Sequence, residues 1–127
     1  MKKLIGACLV LAMALFLFGA LAIAATPAAQ KAAAKTISGE IVDLSCYLGR
    51  GGKGPEHKEC AATCIANGGP MGLLTSKGLL YVLTMNHENA DAFNQAKKFA
   101  GDQVKVTGPV TTKNATRALE VNGVVAM

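Results

Sequence analysis

The chain has 127 residues, with 13 Lys and Arg against 8 Asp and Glu, and a formal net charge of +5. That length admits one domain. The basic residues are scattered, Lys97-Lys98 being the only adjacent pair past residue 25, which describes a solvated surface and excludes an extended nucleic-acid face.

Residues 1–25 begin with Lys2 and Lys3, continue as an uncharged apolar run from Leu4, and close on Ala22-Ile23-Ala24-Ala25. This is the pattern of a secretory signal peptide cleaved after Ala24 or Ala25. The run is also about as long as a membrane-spanning helix needs. An uncleaved anchor, with the domain facing the periplasm, is therefore the alternative, and the only route by which this chain would meet a membrane. Cys8 lies too near the start of the run to serve as a lipobox cysteine. Losing Lys2 and Lys3 with the leader lowers the charge from +5 to +3. Residues 26–35, TPAAQKAAAK, read as a flexible Ala/Lys-rich tether, and the domain occupies residues 36–127.

A first strand is expected over residues 36–48, with Gly39 marking a bend and Cys46 at its end. GRGGKG, residues 49–54, is a loop. Gly54 as cap and Pro55 at the first helical position start a helix that runs to Ala66, before Asn67-Gly68-Gly69-Pro70. Residues 71–85 read as a hairpin around Thr75-Ser76-Lys77-Gly78. A second helix spans Ala90 to Ala100 and stops at Gly101. Two strands follow, residues 103–111 and 117–125, joined by a turn at Lys113-Asn114-Ala115. The expected fold is mainly β. It is a five-stranded OB-fold-like barrel with a cysteine-bearing helical insert after strand 1 and a helix between strands 3 and 4.

The pieces GEIVDLSC, HKECAATCIANGGPMGLL and VKVTGPV resemble a family of small exported bacterial OB-fold proteins with a cysteine-containing insert. The resemblance covers residues 36–121. It implies the fold and an exported, periplasmic location, and it brings no catalytic residues with it.

Past the leader the cysteines are Cys46, Cys60 and Cys64, an odd number for an oxidising compartment. On the expected helix His57, Cys60 and Cys64 fall at about 0°, 300° and 340°, within an arc of roughly 60°. With Cys46 they make a four-ligand set for zinc, or for copper in its soft monovalent form. His-x2-Cys-x3-Cys is not a common zinc spacing. The competing arrangement is a disulfide from Cys46 to Cys60 or Cys64, which closes a loop of about 15 residues and contributes about 3 kcal/mol. Cys60 and Cys64 point in parallel and do not suit each other.

His87 reads as a surface turn residue, and Met71 and Met85 as core or strand-end side chains. Glu40 and Asp43 point to opposite faces of strand 1 and form no acid pair. No Ser/His/Asp set or phosphate loop is present. Only Tyr47, Tyr81, Phe93 and Phe99 supply aromatics past the leader, too few for a stacking platform on single-stranded nucleic acid. The leading reading is an exported non-enzymatic binding module for a protein or small ligand, its Cys/His insert held by a disulfide or a metal. A periplasmic copper- or zinc-handling protein is the alternative, and a thiol redox protein the third.

Overall fold

The computed structural model describes residues 32–127. The signal-peptide segment and most of the tether lie outside that range. Strand β1, Ala34–Asp43, starts two residues inside the stretch read as tether, because Ala34 and Lys35 already pair with Pro109 and Gly108.

The first part of β1 pairs antiparallel with β4, Gln103–Lys113, and its last four residues pair with β2, Met71–Leu74. The change of partner falls at Gly39 and Glu40. A Cβ on Gly39 would lie 2.6 Å from the Leu74 carbonyl oxygen, so a glycine is what lets β2 close against the bend. Strand β2 forms a hairpin with β3, Leu80–Met85. Its turn is closed by the Thr75 amide donating to the Leu79 carbonyl at 2.9 Å. Strand β3 runs parallel to β5, Thr116–Val121, which pairs antiparallel with β4. The order β1-β2-β3-β5-β4, with β4 returning to β1, is a closed five-stranded barrel of OB-fold-like topology.

The last expected strand is in fact two. Leu119 faces Val110 while Val124 faces Val106, so one extra residue sits between β5 and β6, Gly123–Ala126. This is a bulge at Asn122, whose amide donates to the Thr107 carbonyl at 2.9 Å.

Strand 1 ends at Asp43, five residues earlier than the sequence suggests, and Cys46 lies on a helix. Helix α1 spans Leu44–Arg50. Asp43 is its N-cap, with Oδ1 accepting the Cys46 amide at 2.8 Å, and Gly51 ends it in the left-handed region at φ 72°. These caps override the strand pattern.

Helix α2, Lys58–Ala66, follows a single 3-10 turn over Pro55–His57. Helix α3, Asp91–Lys97, stops three residues short of the expected end. The chain there turns to bridge β1, with Gly101 donating to Ile41 at 2.7 Å and Ile41 to Asp102 at 3.1 Å.

The barrel core holds Ile41, Leu73, Leu83, Val104, Val106, Leu119 and Val121. Ala61 and Ile65 of α2 and Ala92 and Ala96 of α3 pack against it. Val42, on the other face of β1, is buried with Leu44 and Leu74 under α1. Among the described residues no helix is long and apolar enough to cross a membrane.

Candidate metal centre

Three short pieces converge at the end of β1. Helix α1 turns Cys46 inward until it is 6% exposed. The glycine loop then doubles back, tied by the Gly52 amide to the Cys46 carbonyl at 3.2 Å. The buried Glu40 carboxylate also holds it, accepting the Gly54 amide at 2.6 Å. That fold-back delivers the Pro55–His57 turn and sets α2 alongside α1, with Ala61 and Ile65 anchoring α2 on the core.

The Cys46 and Cys60 sulfurs lie 3.9 Å apart. Two thiolates on one tetrahedral zinc stand about 3.8 Å apart, given a Zn–S bond of about 2.3 Å. A His57 ring nitrogen joins them, and the three ligand atoms lie within 4.8 Å of one another. The Nε2 atom of His57 is buried and has no hydrogen-bond partner among the described residues. Gly52 makes room for the ring, since a Cβ there would sit 2.6 Å from Nε2. The ring thus offers a nitrogen to the two sulfurs, and its buried Nε2 lacks the partner that a buried polar atom ordinarily has.

Cys64 takes a different place from the one its position on the helical stripe suggests. It groups with Cys46 and Asp43, again within 4.8 Å. The angular reading placed His57, Cys60 and Cys64 on one helix, whereas His57 lies on the 3-10 turn that precedes it. His57 and Cys64 do not fall in one group. Cys46 lies between them and belongs to both groups.

Asp43 is the residue that sequence reasoning missed. It is fully buried, its Oδ1 is used in the cap, and its Oδ2 has no hydrogen-bond partner among the described residues. The available signal was Asp-Leu-Ser-Cys, a capping residue three positions before a thiol. His87 is exposed. Met71 is buried in the barrel core and Met85 is partly exposed at the end of β3, as the sequence suggests.

Arg50 Nη2 donates to the Cys46 sulfur at 3.5 Å. That hydrogen bond, followed by the charge of Cys46, raises the guanidinium above its ordinary pKa. Burial, and then the neighbouring Cys46 sulfur, pushes the Cys64 thiol up to about 11. An open cleft of about 360 Å³ is lined by Ser45, Cys46, Gly49 and Arg50. The three cysteines are free thiols, and among the described residues no disulfide forms. No family model matches the chain, and neither a curated protein nor a solved structure does so.

Proposed function

We propose that the protein is an exported metal-binding module that takes a soft transition-metal ion, zinc or copper(I), through Cys46, His57 and Cys60. The observation that carries this reading is a His57 ring nitrogen grouped with two sulfurs spaced as thiolates on one ion, in a ring whose buried Nε2 is unpaired. Export is supported by the leader pattern of residues 1–25 and by the resemblance to small exported OB-fold proteins. The barrel supplies a rigid edge, and the insert supplies the donors.

A second reading is a binding module pinned by a Cys46–Cys60 disulfide. The 3.9 Å separation supports it, because the sulfurs need to close by only about 2 Å to reach bonding distance. That reading gives the unpaired His57 nitrogen no role, which ranks it below the metal.

Titrating the reduced, metal-free protein with zinc and with copper(I), each against a chromophoric chelator, tests the proposal. The expected result is tight binding that weakens about 100-fold or more in His57→Ala. Unchanged affinity in that variant, or no binding at all, would overturn it.

A further inference from the structure

We propose that the cluster holds two divalent ions rather than one, with the Cys46 sulfur bridging them and Asp43 and Cys64 completing the second position. This inference rests on the metal reading above and extends it to a site of its own.

Asp43, Cys46 and Cys64 present their ligand atoms within 4.8 Å of one another. Independently, Asp43 Oδ2 is buried and has no hydrogen-bond partner among the described residues. A carboxylate oxygen taken from water without a donor or a cation is unfavourable. The fold nevertheless keeps Asp43 there, since the same side chain caps α1 through Oδ1. A cation at Oδ2 removes the penalty and leaves the cap intact.

The donor types select the ion. A carboxylate suits zinc, which takes sulfur, nitrogen and oxygen ligands alike, and does not suit copper(I). Each position has three protein ligands, so each keeps one place for water or an incoming donor. That is the pattern of an exchangeable site, distinct from a closed structural one. The cleft beside Ser45, Cys46, Gly49 and Arg50 gives such a donor access.

Zinc stoichiometry tests the inference, read by native mass spectrometry and chelator competition on the reduced, metal-free protein. The wild type should take two zinc ions, and both Asp43→Asn and Cys64→Ser should take one. Asparagine keeps the cap, because its oxygen still accepts the Cys46 amide. Should Asp43→Asn fail to fold by circular dichroism, Cys64→Ser carries the test alone. Saturation of the wild type at one ion would overturn the two-ion site and leave the proposed function standing. No binding would overturn both. Two ions retained in Asp43→Asn and Cys64→Ser would remove these residues from the site.

Discussion

Asp43 places Cys46. Its Oδ1 accepts the Cys46 amide at 2.8 Å, so the side chain that ends β1 also starts α1 and turns the shared sulfur into the cluster. Removing the cap should therefore cost both stability and metal. Both Asp43→Ala and Asp43→Asn remove the buried carboxylate, so the cap is read from their difference: Asp43→Ala should be about 1 kcal/mol less stable, metal-free, than Asp43→Asn. Denaturant unfolding of the two variants checks this. Equal stability of Asp43→Ala and Asp43→Asn would show that the cap does not hold α1.

Gly52 offers a way to disturb His57 without deleting it. A methyl group there would meet Nε2 at 2.6 Å, and the ring would have to swing away. Gly52→Ala should weaken zinc binding by about 10-fold, with an unaltered far-ultraviolet spectrum. Wild-type affinity in this variant would mean that His57 is not a ligand.

Alkaline stability carries the signature of Cys64. Its thiol stands at about 11 in the folded protein against an ordinary value of 9.0. The folded state therefore holds this proton more tightly than the unfolded chain does. The contribution is fully present below pH 9 and is lost as pH rises through about 11. Metal-free wild type should lose stability across that window more steeply than Cys64→Ser does. Parallel curves would contradict the assignment.

Oxidation should compete with metal. A small disulfide oxidant takes two electrons and two protons from Cys46 and Cys60, forming a bridge between them and two equivalents of small thiol. Because their sulfurs lie 3.9 Å apart, peptide mapping of the oxidised metal-free protein should find Cys46–Cys60 as the main bridge, and bound zinc should suppress it. A main bridge between Cys60 and Cys64 would contradict the geometry.

Much of this architecture could be read from the residues. Gly39 announced the bend, Gly54-Pro55 the helical insert, and Thr75-Ser76-Lys77-Gly78 the hairpin, because each is a local backbone requirement. Asp43 was harder, since an aspartate among Ile41, Val42 and Leu44 reads as strand until its capping role is weighed. The split of the ligands into two groups was not readable at all. It depends on where α1 sets Cys46 along the axis of α2, and angular spacing carries no information about height. Asn122 hides its bulge for a similar reason, because register is a property of the partner strand.

The most direct test of the central claim is zinc K-edge X-ray absorption on the protein loaded with one equivalent of zinc. The account predicts a first shell with sulfur at about 2.3 Å and imidazole nitrogen at about 2.0–2.1 Å, the nitrogen signal disappearing in His57→Ala. A shell of oxygen and nitrogen alone, or a spectrum unchanged by that substitution, would contradict it.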